Sequence, residues 1–72
     1  MSEKLQILYM QVRLVRLAAE ELNISIEDSC KIFSENAVFQ YIENLWDLFH
    51  VEGDHAVLED IREYLTGKGV VL

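Results

Sequence analysis

Apolar residues recur at helical spacing along the first third of the chain, and they do so on more than one face. Leu5, Leu8, Val12, Val15, Ala19 and Leu22 form the principal stripe, which predicts a helix from Ser2 as N-cap, with Glu3 in its first turn, to about Asn23. Ile7, Met10, Leu14, Leu17 and Ala18 carry the apolar arc far beyond that stripe. Only Gln6, Arg13, Arg16 and Glu20, with Tyr9 among them, are left on a narrow polar arc. A surface helix needs an apolar arc of about 100° or somewhat more. The surplus predicts a central helix that also meets a second chain, with Ile7, Met10, Leu14 and Leu17 as contact residues.

Asn23-Ile24-Ser25 breaks the pattern, and Ser25 with Asp28 three residues on approximates a capping box. The second helix presents Ile26, Cys30, Phe33 and Ala37 on one face. Ile32 falls off that face as a candidate exposed contact, and Asn36 marks a stop in left-handed geometry. A third helix, about Val38 to Phe49, is sharply two-sided. Val38, Phe39, Tyr41, Ile42, Leu45, Trp46, Leu48 and Phe49 stand against Gln40, Glu43, Asn44, Asp47 and His50. His50 to His55 reads as the main loop, with Gly53 at a positive φ and Asp54 capping the next helix. That fourth helix, roughly His55 to Thr66, buries Val57, Leu58, Ile61, Tyr64 and Leu65 and stops at Gly67. The tail from Gly69 to Leu72 packs on the bundle or pairs as an edge strand.

These elements predict an all-α fold: one compact small bundle of about four helices spanning 1–72 as a single helical domain, around Phe33, Phe39, Ile42, Trp46, Phe49, Ile61 and Tyr64. Composition agrees, since 51% of the 72 residues are hydrophobic and 26% charged, a globular balance with too many large apolar residues for disorder. No apolar run reaches the roughly 20 residues of a membrane span, and no secretory leader is evident. The single cysteine excludes an internal disulfide, and the expected compartment is the reducing cytoplasm.

Charge adds a direction. The net charge is −7. Residues 1–16 hold Lys4, Arg13 and Arg16 against Glu3, and residues 62–72 hold Arg62 and Lys68 against Glu63. The stretch between them sets Lys31 against eleven acids. Such a body repels phosphate backbones and anionic lipid, so nucleic acid and membranes are excluded as partners and a basic protein is favoured. A domain of this size buries only about 60% of its unfolded surface, so association with another chain, a homodimer included, is a natural supplement.

Candidate chemistry is sparse. Cys30 is placed by its spacing beside Ile26 and Phe33, as a buried and inert thiol. Ser2, Ser25, Ser29 and Ser34 sit on no glycine elbow, and the carboxylates fall on polar faces. No catalytic residue, cofactor or metal is therefore expected. His50, Glu52, Asp54 and His55 gather near one loop with Glu59, yet their spacing matches no zinc or calcium signature. His50 is read as capping the third helix or packing on Trp46, and His55 as solvated. Gly67-Lys68-Gly69 lacks the rest of a phosphate loop, and a recognition helix carrying Glu43 and Asp47 without Lys or Arg does not suit DNA.

The segments Ile32-Phe33, Val38-Phe39, Tyr41-Ile42, Leu48-Phe49-His50, Gly53 and Glu59-Asp60-Ile61-Arg62-Glu63-Tyr64-Leu65 resemble a bacterial family known as domain of unknown function 3791. Its pattern reads F, V/L-x-x-Y-I, L-H-x-x-G, E-D-I-x-x-Y-I/L after a hydrophobic first helix, and the resemblance covers essentially the whole chain. Trp46 and Val51 depart from it: the family often has Tyr or another residue at the first place and a polar one at the second. The resemblance implies a short, acidic, helical protein with no established activity. It also implies an accessory or antitoxin-like role beside proteins resembling ADP-ribosyltransferases. The combined expectation is a non-enzymatic protein-interaction module, with Ile7, Met10, Leu14, Leu17, Ile32, Glu43 and Asp47 meeting the partner. The alternatives are a metal- or small-ligand site at His50, Glu52, Asp54 and His55, and a purely structural homodimer.

Overall fold

Ser2 opens the chain's helical course as the sequence predicts: its Oγ accepts from the Leu5 N–H at 3.2 Å. In a computed structural model describing residues 2–72, helix α1 (Glu3–Leu22) is followed by α2 (Ile26–Glu35), α3 (Val38–Asn44), α4 (Trp46–Phe49) and α5 (Asp54–Gly67). No strand occurs among the described residues, so the all-α expectation holds. Asn23 takes φ 54° in the left-handed region, and the Ile24 N–H reaches back to the Ala19 carbonyl at 3.0 Å, closing α1 by the six-to-one bond of a Schellman motif. Ser25 caps α2 by accepting from the Asp28 N–H at 3.0 Å.

Four local expectations are corrected. Between α2 and α3 the left-handed residue is Ala37, at φ 56°, rather than Asn36. Asn36 instead uses its side-chain amide to bond the Ile32 carbonyl at 2.9 Å. The predicted third helix breaks at Leu45 (φ −104°, ψ 17°) into α3 and α4, with no proline or glycine to announce it. Gly53 is extended (φ −77°, ψ 157°) and itself holds the N-cap position, so Asp54 begins α5 instead of capping it. Helix α5 runs through Gly67, and Gly69, at φ 85°, supplies the left-handed end. The Val70 N–H bonds the Leu65 carbonyl there, and the tail packs through half-buried Val70 without forming a strand.

The core joins Met10, Leu14 and Ala18 of α1 to Phe33, Val38, Ile42, Trp46, Phe49, Val57, Leu58, Ile61 and Leu65. Of the predicted centre, Phe39 and Tyr64 are only half-buried. Tyr64 also acts as a tie, because its hydroxyl and the Lys68 ammonium both donate to the Asn36 carbonyl at 2.9 Å. That double contact joins the end of α5 to the α2–α3 corner. Tyr41 stacks on Tyr64 with ring centroids 4.1 Å apart, and burial lifts its phenol above the ordinary value, with Asp60 adding to the effect. Helix α2 meets α1 through Ser29, a buried hydroxyl that donates to the Val15 carbonyl at 2.8 Å. The accessible surface, 4728 Å², is close to the roughly 4,600 Å² that scaling gives for a compact chain of this mass. Apolar groups left outside are therefore a surface of a packed molecule and not a sign of loose folding.

Candidate functional site

Helix α1 is apolar on two faces, and one of them is covered only in part. Met10 and Leu14, predicted to meet a partner, lie fully in the core, while Ile7 and Leu17 are half-buried against it. Part of the stripe predicted as core is outside: Leu5 is 40%, Leu8 50% and Val12 46% exposed. Val15 and Ala19 of that stripe are buried. The predicted core stripe is thus covered over its C-terminal half and open over its N-terminal half. Ile26 is 56% exposed and Cys30 is also exposed, so the predicted buried face of α2 keeps only Phe33 inside. Ile32, expected outside, is half-buried.

The exposed side chains line a trough that follows α1. Its central part, of about 450 Å³, is bounded by Leu8, Val12, Val15, Ile26, Cys30 and Phe39, with Gln11 and Arg16. The Gln11 amide donates to the Phe39 carbonyl at 3.0 Å and so fixes the wall that α3 contributes. Toward the N-terminus a second depression shares Leu8 and Gln11 and adds Lys4, Leu5, Ile7 and Glu43. Toward the other end a third shares Arg16 and Ile26 and adds Ala19, Glu20, Asn23 and Ile24. The three together extend from Lys4 to Asn23, about 30 Å at the helical rise. The trough is apolar along its floor, with two bases and two acids at its edges. Sequence reading missed Leu5, Leu8 and Val12 as surface residues. Nothing in their spacing sets them apart from Val15 and Ala19 of the same stripe, which are buried.

A polar depression of about 370 Å³ lies between α1, α4 and the loop after it. Tyr9, Met10, Arg13, Trp46, His50 and Glu52 line it, with Gln6 and Asp54. The Arg13 guanidinium holds Asp54 through Nε at 2.8 Å and Nη2 at 3.3 Å. This hydrogen bond raises the guanidinium above its ordinary value, against the lowering effect of burial. His50 caps α4 and lies on Trp46 with centroids 5.6 Å apart, as the sequence predicts. The Glu52 carboxylate is half-buried, and its Oε2 is shielded from water with no hydrogen-bond partner among the described residues. Leaving a buried acceptor unpaired costs about 1–3 kcal/mol, more when it is charged.

The predicted loop cluster does not converge. His50, Glu52 and Asp54 border the polar depression, whereas His55 is directed to Glu21, Nδ1 to Oε2 at 3.2 Å, where Arg62 also approaches. Among the described residues no three His, Cys, Asp or Glu groups are placed to hold a metal ion. Glu43 and Asp47 are exposed, Glu43 at the trough and Asp47 on α4. Cys30 is exposed in the trough, a correction to its predicted burial. No described helix is long and apolar enough to cross a membrane.

Among known proteins, the family model described as protein of unknown function, DUF3791, matches residues 9–68 of the chain. Neither a curated protein nor a solved structure matches it.

Proposed function

The chain belongs to the DUF3791 family of proteins of unknown function, and from that premise we propose that it is a non-enzymatic binding module whose trough takes an amphipathic helix of a basic partner protein. The observation that carries the reading is the exposed stripe Leu5-Leu8-Val12 beside Ile26 and Phe39 on an otherwise packed molecule. An apolar depression flanked along α1 by two further ones suits the helix-in-groove mode, in which anchors at i, i+3 and i+7 supply affinity. Lys4, Arg16, Glu20 and Glu43 balance one another at its edges and fix register rather than net attraction. The net charge of −7 acts at longer range and steers a cationic protein to the surface. Binding is favoured over catalysis because, Glu52 apart, the charged and imidazole groups beside α4 are already engaged: Arg13 with Asp54, and the His50 ring against Trp46. The antitoxin-like or accessory role implied by the family resemblance is one form such a module takes.

The test is capture from the native host lysate with the tagged chain and with Leu8→Glu, each at low and high salt. The reading expects one stoichiometric basic protein, released as salt rises and lost with Leu8→Glu, whose thermal midpoint stays near the parent's because Leu8 is half exposed. Equal capture by Leu8→Glu removes the trough as the docking surface. A stable dimer by light scattering, disrupted by Leu8→Glu and capturing nothing, makes a second copy the occupant instead.

A further inference from the structure

We propose that the polar depression beside α4 receives one arginine side chain, with the Glu52 carboxylate as its acceptor. The inference rests on the protein-binding reading for the source of that arginine, and it adds where the partner's specificity is read. Charge comes first. Arg13 is already matched by Asp54 in a two-point contact, so among the described residues lining the depression Glu52 is left as the uncompensated charge. The state of that carboxylate points the same way. Buried polar atoms in folded proteins are overwhelmingly hydrogen-bonded, and Glu52 Oε2 has no partner among the described residues. Glu52 is only half-buried and follows α4 in a loop, so a rotation of its carboxylate brings the oxygen to an incoming donor.

Shape selects among cations. Tyr9, half-exposed, and Trp46 place aromatic rings at the depression, surfaces on which a flat guanidinium packs while its paired N–H groups face a carboxylate. A lysine ammonium offers no such plane. For a divalent ion the groups do not converge: among the described residues no three His, Cys, Asp or Glu are placed to hold one, and Asp54 is held by Arg13. The depression lies along the side of α1 that carries Arg13, while the trough follows the side that carries Val12 and Leu8. One partner astride α1 reaches both.

The experiment is a nuclear magnetic resonance titration of the full chain with N-acetyl-arginine amide, following the Trp46 indole N–H and the Glu52 backbone amide. N-acetyl-citrulline amide serves as the neutral isostere and N-acetyl-lysine amide as the non-planar cation. Saturable shifts at these two groups are expected with the arginine compound, with a Kd on the order of millimolar for so small a ligand. Glu52→Gln should weaken binding about tenfold, while Glu59→Gln, on the exposed face of α5, should leave it unchanged. Equal shifts with citrulline or lysine, an unchanged Kd in Glu52→Gln, or no saturable shift at all overturns the assignment. The two readings fail separately. Lysate capture lost with Leu8→Glu but kept with Glu52→Gln preserves the trough and removes the arginine site. Saturable arginine binding without Leu8-dependent capture preserves the site and removes the trough.

Discussion

Two faces of α1 carry nearly the same chemistry and have opposite fates. Met10, Leu14 and Ala18 lie at i, i+4 and i+8 and are wholly inside. Leu5, Leu8 and Val12 lie at i, i+3 and i+7 and are about half exposed. Neither hydrophobicity nor spacing separates them. The exposed stripe is itself covered farther along, at Val15 and Ala19, where Ser29 of α2 donates to the Val15 carbonyl. The uncovered part has branched and bulky side chains throughout, with α2 and α3 standing beside it as walls. An apolar arc thus tells how much surface a helix wants to hide, and the neighbours' geometry decides which part is hidden within the chain.

The sharpest way to break this comparison is to truncate one leucine on each face. Leu14→Ala should cost about 2–5 kcal/mol, the range for a fully buried leucine, against a total of roughly 4–11 kcal/mol for a chain of this length. Leu8→Ala should stay within about 0.5 kcal/mol, because its site is already half open to water. Urea unfolding followed by circular dichroism reads both. Similar losses at the two positions would mean that the trough is core and that no docking face exists.

Ser29→Ala probes the point where the exposed stripe becomes covered. It removes one buried hydroxyl bond and creates almost no void, so a loss of about 1 kcal/mol is expected by the same measurement. A neutral result would assign the close approach of α1 and α2 to packing alone. Ala37→Gly acts at the corner that presents Phe39 to the trough, and its sign is opposite. An alanine in the left-handed region is strained by about 1–2 kcal/mol, and glycine returns roughly 0.4–1 kcal/mol of that as flexibility of the unfolded chain. The net expectation is a gain of about 0.5 kcal/mol; a loss would show that the corner is held by the Ala37 methyl.

Helix starts were legible because they depend on short-range chemistry. Ser2 and Ser25 cap as their positions foretell, and Asn23 turns left-handed at the predicted break. His50 on Trp46 was also legible, being one turn away on the same helical stretch. Illegible were features set by distant parts of the chain. The kink at Leu45 follows no local breaker. The choice of Ala37 over Asn36 for positive φ accompanies an Asn36 carbonyl held by Tyr64 and Lys68, 28 and 32 positions away. The same applies to the site. The loop His50–His55 stood out by its titratable groups, yet the partner that organises it is Arg13, forty-one positions from Asp54 and invisible to spacing.

Arg13 also supplies the smallest and most discriminating test, because it lines the polar depression and holds Asp54 there. Its side chain is 53% and that of Asp54 31% exposed, so the pair behaves as a surface ion pair worth at most about 1 kcal/mol. Arg13→Gln should lower stability by less than that at low salt, and the difference should fade near 1 M salt, where screening acts within about 3 Å. Its effect on binding should run the other way. With Asp54 released, the depression gains a second uncompensated carboxylate, and N-acetyl-arginine amide should bind a few-fold more tightly than to the parent chain. Tighter binding with weaker folding is the signature of a depression whose charge is left one short by Glu52. Weaker binding in Arg13→Gln would show that Arg13 holds the depression's shape and that electrostatic deficit is not what draws the guanidinium in.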